Sequence, residues 1–202
     1  MFRLKKSHII LLKVIIHSAA FIPLACLYFR AFTNKLGADP VQELLHFTGI
    51  GAFNLLLLSL LISPVTKKLK QGILLNLRRP LGLYAFTYAL FHFLSYLAFD
   101  LQFEWQLLIS EVFKRPYIFA GILSLLILTA LALTSTKSIQ RKLGKAWQKT
   151  HNWVYLALVT IGLHYFWSVK SSLLQPIIYI CFALILLLLR RNKLTKKFKR
   201  HN

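Results

Sequence analysis

The sequence predicts an all-α integral membrane protein: a bundle of six helices with both termini in the cytoplasm. Three observations predict it. The chain of 202 residues is 57% hydrophobic, with a mean hydropathy of +0.60, well above an ordinary soluble domain. Its apolar residues gather into six runs, roughly 9–29, 46–64, 81–99, 116–135, 151–168 and 173–189. Each is near the length a helix needs to cross the hydrocarbon core, about 20 residues. Finally, the lysines and arginines segregate between alternate connections.

With the amino terminus placed inside, the inner side holds Arg3, Lys5 and Lys6, then Lys67, Lys68, Lys70, Arg78 and Arg79. It also holds Lys137, Arg141, Lys142, Lys145 and Lys149, and the tail from Arg190 to Arg200. The outer connections carry Arg30, Lys35, Lys114, Arg115 and Lys170, together with all five acids, Asp39, Glu43, Asp100, Glu104 and Glu111. The net charge of +21 therefore reads as membrane orientation and not as a nucleic-acid surface. The basic inner face suits anionic lipid headgroups or a phosphorylated cofactor.

The elements follow in order. The first run is too long for a signal-peptide core and lacks a small-x-small cleavage site, so it is expected to be retained as a span. "LGADPV" (36–41) is an outer turn, and Pro40 can open the short helical piece "VQELLHF" before span two. Pro64 in "ISPVTKK" is expected to end span two. Pro80 and Pro116 sit in the first turns of spans three and four. The basic loop 135–150, with Leu143 and Trp147 four apart, reads as one interfacial helix on the inner leaflet. Cys26 and Cys181 lie within spans and form no CxxC, so each reads as a buried apolar cysteine. No internal repeat is visible.

Seven histidines carry the chemistry: His8, His17, His46, His92, His151, His164 and His201. Ionisable side chains within spans are costly and concentrate at functional sites. In span three, Tyr84, Tyr88, His92 and Tyr96 recur every four residues as one polar-aromatic stripe. Such a stripe is either a hydrogen-bonding seam between helices or a site. Measured from the inner ends of their spans at 1.5 Å per residue, His92 lies about 16 Å deep and His164 about 20 Å deep. Two neutral imidazoles at one level on facing helices suit the axial positions of a haem iron. Thr160 and Ser168, one turn either side of His164, are expected to orient its ring.

His151 lies thirteen residues before His164, about 20 Å along the helix and roughly 140° around it, so the two cannot share an iron. The position thirteen before His92 is Arg79. Either His151 and Arg79 mark an incomplete second haem site, or His151 holds a haem propionate, a flavin phosphate or a quinone, or it is a plain interfacial histidine. For His17 and His46 a structural role is at least as well supported. Gly49 and Gly51 in "HFTGIGAFN" allow close approach of a helix or a flat cofactor.

The stretches "LGADPV", "HFTG", "RRPLGLY", "FHFLSY", "KRPY", "ALTSTKSIQRKLGKAWQKTHNWVYL" and "HYFWSVK" resemble, in order, those of the MsrQ family. These are haem-binding membrane subunits of the bacterial protein-methionine-sulfoxide reductase system. The family falls in a wider group with the membrane domains of ferric reductases and NADPH oxidases. There, two helices usually each carry two histidines about thirteen residues apart; this chain keeps the pair in span five but has only His92 in span three.

The resemblance implies a haem core over about 46–168 in the bacterial inner membrane. It implies haem b on His92, His164 and His151, and FMN as a further cofactor. It also implies electrons drawn from the quinone pool or a cytoplasmic flavin reductase, passed to a periplasmic molybdenum-containing methionine sulfoxide reductase. The chain has no paired carboxylates, no nucleophile with a base and no phosphate-gripping glycine loop. Chemistry on methionine sulfoxide is therefore expected on the partner, docked on the acid-bearing outer loops 30–45 and 100–115. Two other readings compete: a membrane ferric or quinone reductase acting on a small acceptor, and a transporter or assembly factor with structural histidines.

Overall fold

The structure, a computed structural model, describes residues 4–170 and 172–190; Arg3, His201 and the basic tail beyond Arg190 lie outside the described residues. Among the described residues there are helices and turns but no strands. The α-helices are α1 (Lys6–Phe32), α2 (Pro40–Leu69), α3 (Arg78–Ser95), α4 (Trp105–Lys114), α5 (Pro116–Leu133), α6 (Lys137–Leu143), α7 (Lys145–His151), α8 (Val154–Ser168) and α9 (Leu174–Leu188). A 3-10 helix over Gly72–Leu77 leads into α3, and a π-helical turn over Tyr96–Asp100 extends it. This makes one apolar rod, Gly72–Asp100.

Four helical segments are long and apolar enough to cross a membrane: Lys6–Phe32, Pro40–Leu69, Gly72–Asp100 and Pro116–Leu133. They match the first four expected spans, and the chain is a multi-pass membrane protein. The last two expected spans coincide with α8 and α9, each of 15 residues. At 1.5 Å per residue these reach about 22 Å, short of a ~30 Å hydrocarbon core.

Helices α2, α3, α5 and α8 form the centre, where α2 packs along α3 and α5 along α8, while α1 and α9 flank them. Phe53, Leu56, Leu57, Leu60, Leu128 and Leu158 fill the core. Ala85 on α3 and Ala157 on α8 are fully buried, and such small side chains let helix backbones approach closely.

Three local expectations change. The helical piece at Pro40 is not separate: α2 runs unbroken from Pro40, capped by the Asp39 carboxylate accepting from the Gln42 N–H at 2.9 Å. Pro64 does not end α2, which continues to Leu69. A proline has no N–H for the carbonyl four residues before it. Here that carbonyl is Leu60's, and the Arg190 guanidinium donates to it instead. The loop 135–150 forms two short helices, not one, because Gly144 takes a positive φ of 49° between them. Trp147 is pinned there by its indole N–H, which donates to the Thr134 carbonyl at 2.9 Å.

Candidate functional site

His92 on α3 and His164 on α8 face one another, with ring centres 6.0 Å apart and ring planes crossed at 86°. Each ring is held from behind by a backbone carbonyl of the neighbouring helix. His92 Nδ1 is 2.9 Å from the Leu45 oxygen of α2, and His164 Nδ1 is 2.7 Å from the Tyr117 oxygen at the start of α5. A carbonyl can only accept, so each Nδ1 carries the proton and each Nε2 keeps its lone pair. Thr48 Oγ1, 3.4 Å from His92 Nδ1, is a second, weaker neighbour.

Two imidazoles gripping one metal from opposite sides, with metal–nitrogen distances of about 2 Å, place their ring centres roughly 6 Å apart. The observed separation fits that requirement. Among the described residues no three His, Cys, Asp or Glu side chains converge to hold a metal ion. Two imidazoles alone make a poor site for a bare ion. They make a complete axial set where a macrocycle fills the other four positions.

Both rings rest on glycine. A Cβ built on Gly49 would stand 3.2 Å from His92 Cε1 and Nδ1, and one on Gly121 would stand 2.8 Å from His164 Nδ1. Each glycine lies one helical turn beyond the carbonyl that holds its histidine. In both pairs the histidine follows its carbonyl by 47 residues. The centre is therefore a twofold repeat: α2 with α3 forms one half and α5 with α8 the other, and Ala85 and Ala157 occupy equivalent buried positions. The expectation of no internal repeat is corrected here. The readable signal was slight: "FTG" at 47–49 answers "FAG" at 119–121, and a histidine follows each glycine by the same interval.

The other expected site residues spread out. Thr160 does not touch the His164 ring; its hydroxyl pairs with Ser124 at 2.7 Å, tying α5 to α8. Ser168 bonds the Tyr165 carbonyl. The ring is oriented by the backbone of α5 instead, because α8 packs its histidine face against the first turn of that helix. The tyrosine stripe divides. Tyr84 meets His17 at 3.0 Å and Tyr88 donates to the Ala20 carbonyl at 2.7 Å, so both fasten α3 to α1. His46 is exposed and lines a groove between α1 and α2 with Phe47, Gly51 and Tyr88.

His151 ends α7, away from the His92–His164 pair, stacked on Trp147 with ring centres 4.0 Å apart. Arg79 is exposed. The arginine beside His151 is Arg78, one position earlier, whose Nε is buried. Cys26 and Cys181 are free thiols on the outer surface of their helices, not in the core.

Glu111 and Arg115 form an ion pair at 2.6 Å, and Arg115 donates to the Tyr117 hydroxyl at 3.0 Å. The acid-bearing loop is thereby linked to the residue whose carbonyl holds His164.

Comparison with known proteins agrees with this arrangement. The family model described as "Ferric reductase like transmembrane component" matches residues 48–162, a stretch that contains His92 and ends two residues before His164. The chain is 46% identical over 193 residues to a protein of Cronobacter sakazakii named "Protein-methionine-sulfoxide reductase heme-binding subunit MsrQ", covering 95% of this chain and 96% of that one. It is 47% identical over 192 residues to the protein of the same name from Salmonella arizonae, with the same coverage. No solved structure matches. The chain belongs to the MsrQ family, within the ferric reductase-like transmembrane group.

Proposed function

We propose that this chain is a haem b electron-transfer subunit of the bacterial inner membrane, serving a periplasmic methionine sulfoxide reductase. One observation carries the reading: His92 and His164 face each other at 6.0 Å, each with its Nδ1 fixed to a carbonyl. The relatives' names supply the haem and the reductase system. The proposal takes the chain to cross the membrane six times, using α8 and α9 as the last two spans, with the basic ends inside.

Bound haem would supply a one-electron redox centre. His92 and His164 would hold it through their Nε2 atoms, and the protein's own part is to bury those rings and tune their basicity through the Leu45 and Tyr117 carbonyls. On the basic side His151 is a single imidazole beside Arg78. An inner haem there would pair one histidine with a non-histidine partner. Electrons from the quinone pool or a cytoplasmic flavin reductase would leave towards loops 30–45 and 100–115, where every acid lies. The partner is taken to be the molybdenum-containing reductase, which performs the chemistry on methionine sulfoxide. FMN enters the proposal through the family resemblance, and the basic surface suits its phosphate.

The test is to reduce the purified chain and offer it either the purified periplasmic reductase or a ferric chelate. Rapid oxidation by the reductase, lost in His92→Ala and His164→Ala, is expected. Oxidation by ferric chelate alone would favour the competing small-acceptor reading.

A further inference from the structure

At the basic end of the bundle two arginines are turned inward from different helices. Arg190, two residues past the end of α9, is 7% exposed. It donates from Nη1 to the Tyr155 hydroxyl at 3.1 Å and from Nη2 to the Leu60 carbonyl. Arg78, in the first turn of α3, lies within electrostatic range of both Arg190 and Tyr155. The Nε atoms of Arg78 and Arg190 are buried without a hydrogen-bond partner among the described residues.

Among the described residues no carboxylate pairs with either arginine. Its five acids stand at 39, 43, 100, 104 and 111. Glu43 lies 17 residues before Leu60 on α2, about 25 Å along the helix, and Asp100 lies about 33 Å along the rod from Arg78. A buried cation, Arg190, beside a half-buried one, Arg78, each with a buried Nε–H left unbonded, is costly unless an anion joins them. Guanidinium forks match an oxyanion's geometry closely. Tyr155, accepting from Arg190, still has its own O–H to donate.

We propose that Arg78, Arg190 and Tyr155 form an oxyanion site that takes a phosphate group, either an anionic lipid headgroup or a soluble phosphate. His151 closes one side of it. The site is independent of the facing histidine pair, and its test reads unfolding, not haem absorption.

The full-length chain is purified in a phosphate-free uncharged detergent, and its thermal unfolding midpoint is followed as inorganic phosphate is added. Chloride at matched ionic strength is the control. In parallel the midpoint is compared in nanodiscs of phosphatidylcholine alone and of phosphatidylcholine with phosphatidylglycerol. A saturable rise with phosphate supports the site with a soluble ligand. A rise with phosphatidylglycerol alone supports it with a lipid headgroup.

Arg78→Gln is the decisive variant, because among the described residues the Arg78 side chain makes no hydrogen bond that its loss would break. Without anion, Arg78→Gln is expected to unfold no lower than the parent, since it removes repulsion between the half-buried Arg78 and the buried Arg190. Its apparent affinity for the anion should fall at least tenfold. Lys137→Gln, an exposed change on the same side, should respond as the parent does. The proposal is overturned if neither phosphate nor phosphatidylglycerol raises the midpoint, or if Arg78→Gln responds like the parent. It is also overturned if Arg78→Gln is destabilised in the absence of anion.

Discussion

Replacing Gly121 by alanine tests how tightly the site is built. The new Cβ would stand 2.8 Å from His164 Nδ1 and 2.9 Å from Cε1, where ordinary contacts begin at 3.4 Å. The ring must move by about 0.6 Å, and the atom nearest the clash is the one bonded to Tyr117 at 2.7 Å. Pushing a side chain off its rotamer costs about 0.5–1.5 kcal/mol. Leaving a buried carbonyl without its donor costs a further ~1–3 kcal/mol. Together these amount to about 1.5–4.5 kcal/mol, or roughly 10- to 2,000-fold weaker haem binding.

Gly49→Ala offers the internal comparison. Its Cβ would stand 3.2 Å from His92, so the ring needs to yield by only about 0.2 Å, and a loss of roughly threefold or less is expected. Glycine to alanine within a helix gains about 1 kcal/mol of propensity, so neither change should weaken the fold itself. Haem transfer to excess apomyoglobin, followed at the Soret band, measures both. The reasoning is refuted if Gly121→Ala holds haem as the parent does, or if Gly49→Ala is the more damaging of the two.

Further outcomes follow from the same geometry. His92→Ala and His164→Ala should each abolish six-coordinate haem at this site, whereas His17→Ala and His46→Ala should leave haem content and spectrum unchanged; haem quantification on each purified variant decides. His151→Ala should leave the haem held by His92 and His164 intact, since thirteen residues of helix separate His151 from His164, about 20 Å. Reversing Asp100, Glu104 and Glu111 to lysine should slow electron delivery to the periplasmic reductase about tenfold at low salt, fading as salt rises. Stopped-flow rates that ignore both the substitutions and the salt would remove the docking surface. Loss of the Glu111–Arg115 pair should have little effect on haem retention, because the Tyr117 carbonyl is backbone.

Much of the bundle was legible because apolar runs are read one helix at a time. The first four spans and the shared depth of His92 and His164 followed from hydropathy and from 1.5 Å per residue. What supports those histidines was not legible. Leu45 and Tyr117 act through backbone oxygens, which no side-chain pattern announces, and Gly121 differs from any other membrane glycine only through what lies beneath it. Thr160 and Ser168 were placed correctly one turn from His164 but bond elsewhere, because helix packing and not sequence spacing decides which hydroxyl faces a neighbour. The choice between Arg78 and Arg79 turned on the helix phase set by the 3-10 turn before α3. Where α2 passes through Pro64, the freed Leu60 carbonyl is met by an arginine 130 residues beyond it.

The most direct measurement is the electron paramagnetic resonance spectrum of the oxidised, purified chain, with haem content measured on the same sample. Two imidazoles with planes crossed at 86° predict a low-spin, strongly anisotropic ferric signal that vanishes in both His92→Ala and His164→Ala. A high-spin signal in the parent, a low-spin signal that survives either substitution, or a colourless protein would contradict the account.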